Sequence, residues 1–349
     1  MRSGRSSSAN RPGRPASANR TRSVAFLAAL ACVLLAAVLL CLRAGSYDTP
    51  VAELIRGLFG RAADDRINIV VQNNRLPRIL TAILAGAGLG VSGCVLQAIL
   101  RNPLASASTL GVSQGASFGA AFAIIAVGLG GVGGVGVPLF AFAGSMAVAL
   151  VILALSRLRQ ISPEAIVLSG VAISSMFTGA TTLLQYFADE VELQSLMFWT
   201  FGSLGSTGWA DVRVMAAVVA LACAYFFVHR WDYNALLSGA ETASSIGLNV
   251  RRLTLVNMIL CCFVASTIVS YIGLISFIGL IAPHMVRQVV GNNHVYLIPG
   301  SALAGAALLL LGDLFARTVV SPVILPIGAI TSFLGGPLFL YLLFRGRKR

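Results

Sequence analysis

Lysine is almost missing from this chain: the only one, Lys348, is the penultimate of 349 residues. A P-loop, which cradles nucleotide phosphates, needs a lysine directly after its glycines, so no P-loop can be built here. Acid is scarce as well, with 12 Asp and Glu against 25 Lys and Arg, and charged residues make up only 11% of the sequence. No pair of carboxylates falls inside an apolar run, which disfavours both acid–base catalysis and proton-coupled transport. The three histidines, His229, His284 and His294, are unclustered and lack HExxH spacing. Six cysteines (Cys32, Cys41, Cys94, Cys223, Cys261 and Cys262) all lie in apolar runs without metal or disulfide spacing. They read as small packing residues. No catalytic residue, metal or cofactor is expected.

What the chain has in excess is apolar surface, at 57% of its residues. Runs of about 20 apolar residues recur, the length that crosses a bilayer as helix. The expectation is an all-α integral membrane protein of about ten transmembrane helices, near 24–42, 79–100, 108–127, 139–155, 163–187, 212–228, 253–272, 273–290, 297–315 and 325–344. Residues 24–344 then form one transmembrane domain, and an even number of spans keeps both termini on one side. Cys41 follows Leu39-Leu40 as in a lipoprotein cleavage box, but the bulky Leu40 argues for an uncleaved first span.

The net charge of +13 does not point to nucleic acid, since no basic patch is interleaved with aromatics. The charge sits in the tails. Arg2, Arg5, Arg11, Arg14, Arg20 and Arg22 occupy a Ser/Pro/Gly-rich leader without acid, 1–23, which reads as disordered. Residues 345–349 form a basic end, and both tails suit anionic membrane lipid. With the termini cytoplasmic, the inside also receives Arg101, Arg157, Arg159, Arg230, Arg251, Arg252 and Arg287 against only Glu164, Asp232 and Glu241. The outside is nearly balanced, so the positive-inside rule is obeyed.

One stretch runs against that bias. In NNRLPRILTAILAGAGLG, 73–90, Arg75 and Arg78 fall on the outer side, flanking Pro77 at the expected start of the second span. Proline suits a first helical turn, but cations near the positive end of a helix dipole cost about 0.3–1 kcal/mol. Three readings would offset that cost: a local pair with Asp64 or Asp65, a headgroup contact, or an acidic partner from outside.

Other segments are punctuated clearly. Gly86, Gly88, Gly90, Gly93, Gly111, Gly115 and Gly119 suit close packing of helices in lipid. The glycine-rich 128–136 reads as a short external turn, and Asn102-Pro103 as a tight turn before a helix near Ser108. Between the sixth and seventh spans, 231–253 is polar, with a helix-forming stretch closed by Gly247. It suits a surface-lying segment and a partner-docking element equally.

Taken together, RLPR, the NPLA turn with LGVSQGA, GLNVRRL, SFIGLIAPH, the LPG start of a span and LPIGAITSFLGGPLF make the chain resemble the FecCD-type permeases from about Arg75 to its end. These are membrane subunits of ABC importers for iron–siderophores, haem and cobalamin. One departure is Ala107, where the family usually has proline after NPLAx. The resemblance implies a type II ABC importer permease architecture and pairing with a second permease copy or paralogue. It also implies cytoplasmic ABC ATPase subunits beneath and an extracytoplasmic substrate-binding protein above. By the same resemblance, 238–248 (Ser238, Gly239, Ala240, Glu241, Ala243, Ser244, Gly247, Leu248) is a helix that couples to the ATPase. Residues 189–209, with a short helix at 195–204, would border the path. Arg75, Arg78 and Arg317 would meet acids of the binding protein; for Arg317 the local alternative is the i,i+4 pair with Asp313.

Overall fold

A computed structural model describes residues 16–44, 50–129, 135–158 and 163–346. Residues 1–15 of the expected 1–23 tail, the middle of the 128–136 turn and the last residues of the basic end lie outside the described residues; residues 16–23, expected to be disordered, are helical. Every described element is helical, and no strand occurs among them. Seven helices are long and apolar enough to cross a membrane, and three shorter apolar helices, Val112–Ala126, Ile278–Val290 and Ile327–Leu342, accompany them. Each of the ten expected apolar runs is represented.

The first helix, α1, covers Ala16–Arg43, eight residues further upstream than the expected span. Ala and Arg favour helix, so the backbone bonding continues past the apolar run and takes Arg20 and Arg22 with it. Two short helices not foreseen from the sequence follow: α2, Val51–Leu58, and α3, Asp65–Val70. In α2 the apolar Val51, Leu54, Ile55 and Leu58 recur at helical spacing. Glu53 accepts from Ala63 N–H at 2.8 Å and from Arg56 at 2.7 Å, tying α2 to the next loop. The Ala63 bond first, then Arg56, hold its carboxyl below the ordinary value.

The second span departs from expectation at its start. α3 passes through one π-helical stretch, Val71–Arg75, straight into α4, Leu76–Ile99, as a continuous run of 35 residues. Pro77 therefore lies within a helix rather than opening one. The wider π turn just before it relieves the clash between its ring and the preceding turn. The positive dipole end is at Asp64, whose side chain caps Arg66 N–H at 2.9 Å. Arg75 and Arg78 thus carry no dipole penalty.

The third run is shorter than expected. Asn102 Oδ1 accepts from Leu104 N–H at 2.9 Å, and Ser106, Ser108 and Thr109 bond among themselves. Gly111, at φ 85°, then caps α5, Val112–Ala121, which closes in a π-helical turn, Phe122–Ala126. Next come α6, Gly136–Leu158, and α7, Pro163–Phe187. α8 spans Glu190–Phe201, earlier than the expected 195–204, because Asp189 and Glu192 form a reciprocal capping box.

α9 is Trp209–Val228, followed by two short connecting helices, α10, Arg230–Leu236, and α11, Ala240–Ser245, and then by the long helix α12, Val250–Ile272. α13, Ile278–Val290, starts later than the expected Gly273, because Gly273 (φ 75°) ends α12 and Phe277 (φ 68°) forms a second break. α14, His294–Thr318, and α15, Ile327–Gly346, complete the chain. α4 is the central helix: nearly all its residues after Ile79 are buried, packed by α14, α12, α13 and α9. By contrast α1 and α7 keep large apolar side chains such as Leu35, Leu168 and Leu183 exposed, as a lipid-facing helix would.

Candidate functional site

Two sites stand at opposite ends of α14. That helix has 25 residues, about 37 Å at 1.5 Å per residue.

At its C-terminal end α14 buries Asp313 completely. Asp313 is met by two arginines, of which the sequence had placed only Arg317 near it. Arg78 of α4 forks onto it, with Nε at 3.0 and 3.1 Å and Nη2 at 2.7 Å. Arg317, one turn further along α14, brings Nε to 3.0 Å of the other oxygen, the expected i,i+4 pair, though at an angle too oblique for a hydrogen bond. Its Nη1 donates to Ala44 O at 2.9 Å. Arg75 donates to Leu42 O and is only 6% exposed. The structure thus brings Arg75, Arg78 and Arg317 together around one cavity. Neither Asp64 nor Asp65 is the partner of Arg78. The carboxylate that matters is 235 residues away, which a local reading of RLPR could not reach.

Positive charge is in excess here. Arg317 Nη2 is buried and has no hydrogen-bond partner among the described residues. A cavity of about 810 Å³ opens onto the cluster, lined by Arg43, Asn74, Arg75, Arg78, Arg317 and Ser321. A neighbouring cavity of about 780 Å³ shares Asn74, Arg78 and Ile324 and is walled by Phe198, Trp199 and Tyr271. Phe198 and Trp199 of that wall come from α8 and Tyr271 from α12.

At the other end lies the polar segment between α9 and α12. The helix expected over 238–248 is reduced to α11. Ser238 is exposed, and Gly239 at φ 105° turns the chain into the helix ahead of the half-buried Ala240. Gly247 at φ 92° stops it, as expected. Leu248 folds back, its N–H bonding Ala243 O at 3.1 Å. Glu241 and Ser244 are exposed, whereas Ala243 is fully buried. Ala243 therefore seats the helix on the bundle, and a partner can reach only the outer face of Glu241, Thr242, Ser244 and Ser245.

Comparison with known proteins places this arrangement. The FecCD transport family model matches residues 33–345. The chain belongs to the FecCD transport family. It is 49% identical over 314 residues to a Methanocaldococcus jannaschii protein named as an ABC transporter permease, covering 87% of this chain and 90% of the relative. It is 36% identical over 321 residues to the hemin transport system permease of Yersinia pestis, covering 89% and 94%. A solved inward-facing structure, described as a metal-chelate type ABC transporter, superposes with a TM-score of 0.81 at 32% identity. That match covers 91% of this chain and 98% of the other. The FecCD chain is a multi-pass protein of the cytoplasmic membrane.

Proposed function

We propose that this chain is the permease subunit of an ABC importer that carries a metal chelate, a ferric siderophore before haem or cobalamin, into the cytoplasm. The observation that carries the reading is the family match over residues 33–345. The hemin relative and the metal-chelate-type neighbour support the cargo class. Two copies, or this chain and a paralogue, enclose the path. ATPase subunits grip the exposed face of α11, and both termini lie with them in the cytoplasm. Reconstitution in liposomes with ATPase and binding protein, offered ferric siderophore, haem and cobalamin in parallel, tests the cargo. Uptake of haem or cobalamin alone would displace the siderophore reading. Because the chain has no lysine for a P-loop, the purified permease alone is expected to hydrolyse no ATP, and activity there would contradict a separate motor subunit.

The arginine cavity is the docking site for carboxylates of the binding protein in this proposal. The buried, unpartnered Arg317 Nη2 supports it, as does one carboxylate shared among converging guanidiniums. Such pairs steer association and fix register more than they add affinity, and they weaken with salt. Arg75→Gln with Arg317→Gln is expected to slow docking of the binding protein at low salt by at least about tenfold, flattening its salt dependence. Wild-type docking kinetics in that double variant would assign the cluster a purely internal role. Arg78 is left in place, since its loss also strips Asp313.

A further inference from the structure

Between α11 and the bundle runs α10, and its attachments are unusually polar for their depth. Tyr233 is fully buried, and its hydroxyl donates to Asn257 Oδ1 of α12 at 2.6 Å. Asn257, also fully buried, returns its amide to Leu253 O at 2.7 Å. One residue on, Asn234 bonds the start of α14 three times. Its Oδ1 accepts from His294 N–H at 2.8 Å and from His294 Nδ1 at 3.0 Å, while its Nδ2 donates to Asn293 Oδ1 at 3.0 Å. The Nδ1-protonated tautomer of His294 satisfies this set. The Tyr233 and His294 rings also meet at a 59° tilt, with centroids 5.7 Å apart.

Apolar side chains would fill this layer without requiring any particular register. Hydrogen bonds do require one, and inside a low-dielectric bundle a lost partner is costly. α10 is thus locked in register to α12 through Tyr233 and to α14 through Asn234. α11 follows α10 after only three residues, and its single buried anchor is Ala243. At its far end α14 holds Asp313 between Arg78 and Arg317. Along its middle, Ser301 and Gly305 pack directly against Gly90 and Gly86 of α4. A displacement of α10 cannot be absorbed by sliding at the latch, so it is passed to α14, whose other end is the arginine cluster.

We infer that Tyr233, Asn234, Asn257 and His294 form a polar latch that transmits motion between α11 and α14, and so between the ATPase face and the arginine cavity. The inference rests on the importer reading for what touches each end. These are positioning residues; they need touch neither cargo nor nucleotide. A static cap on the N-terminus of α14 would use the same bonds, so the test must read transmission.

The measurement is ATP hydrolysis by the full reconstituted complex, with and without the binding protein. Stimulation in the wild type tests the importer reading, and the ratio of each variant to wild type tests the latch. Tyr233→Phe keeps the ring and removes one hydroxyl; Asn234→Ala removes all three bonds at α14. Both are expected to assemble and keep basal hydrolysis, and to lose stimulation by about tenfold, the scale of one buried hydrogen bond left unmade. Asn234→Asp retains the acceptors for His294 and should restore most of the stimulation. Stimulation within twofold of wild type in Tyr233→Phe and Asn234→Ala overturns the latch. So does an Asn234→Asp variant as impaired as Asn234→Ala. Should Asn234→Ala not assemble, Tyr233→Phe decides alone.

Discussion

Asp313→Ala is expected to destabilise the FecCD chain by about 3–5 kcal/mol, the range for removing one partner of a buried ion pair. The side chains of Arg78 and Arg317 are only 12% and 11% exposed. Without Asp313 two largely buried guanidiniums would face each other with no carboxylate between them. The readout is the thermal unfolding midpoint of the detergent-purified protein, with membrane yield as a second measure. A midpoint equal to wild type would mean that the cluster is solvated in the membrane. A companion variant separates fold from function. Asp313→Leu with Arg78→Met and Arg317→Met replaces the whole network by apolar groups of similar size, which is often neutral or stabilising. It should recover most of the lost midpoint while remaining unable to dock a binding protein. Recovery of docking along with stability would remove the arginines from the docking proposal.

The apolar runs were legible because hydropathy is a local signal, and each of the ten has its helix. The boundaries were less so, for reasons that differ by element. The D-x-x-E of Asp189 and Glu192 was present in the sequence and starts α8 five residues before the expected position. α2 carries a clear periodic pattern, yet its eight residues are too few for periodicity alone to settle. The start of the second span misled because Pro77 usually opens a helix, and only the π-helical stretch before it lets the helix run through. At the functional ends the limit was distance along the chain. The Asp313–Arg317 pair was readable at i,i+4, whereas Arg78–Asp313 and Asn234–His294 join segments with no mutual signal. The inward face of Ala243 was equally hidden, since a six-residue helix of small residues does not declare which side is down.

The glycines were read correctly as packing residues, and they set the largest expected loss. At Gly93 an added Cβ would collide with the carbonyl of Gly279, backbone against backbone, where α4 meets α13. Gly86 and Gly90 meet Gly305 and Ser301 of α14 in the same way. Neither partner can yield by a rotamer change, so whole helices must separate, and the close contacts that drive association in lipid are lost. Overpacking of a well-packed site costs about 1–3 kcal/mol and more when backbone must move. Gly93→Leu is therefore expected to abolish folded protein in the membrane, and Gly93→Ala to lower the unfolding midpoint and the uptake rate clearly. The effect should be graded by what each Cβ would meet. At Gly88 it meets side-chain ends, Ile268 Cδ1 at 2.7 Å and Val219 Cγ2 at 3.0 Å, which can shift, so Gly88→Ala should cost less. At Gly179 nothing lies within 4 Å, and Gly179→Ala should match or slightly exceed wild-type stability through its helix preference. Midpoints measured side by side for the three alanine variants check the order. If Gly93→Ala proved as stable as Gly179→Ala, α4 and α13 would be further apart in the membrane than their backbones stand here, and the packing account of this glycine stripe would fail.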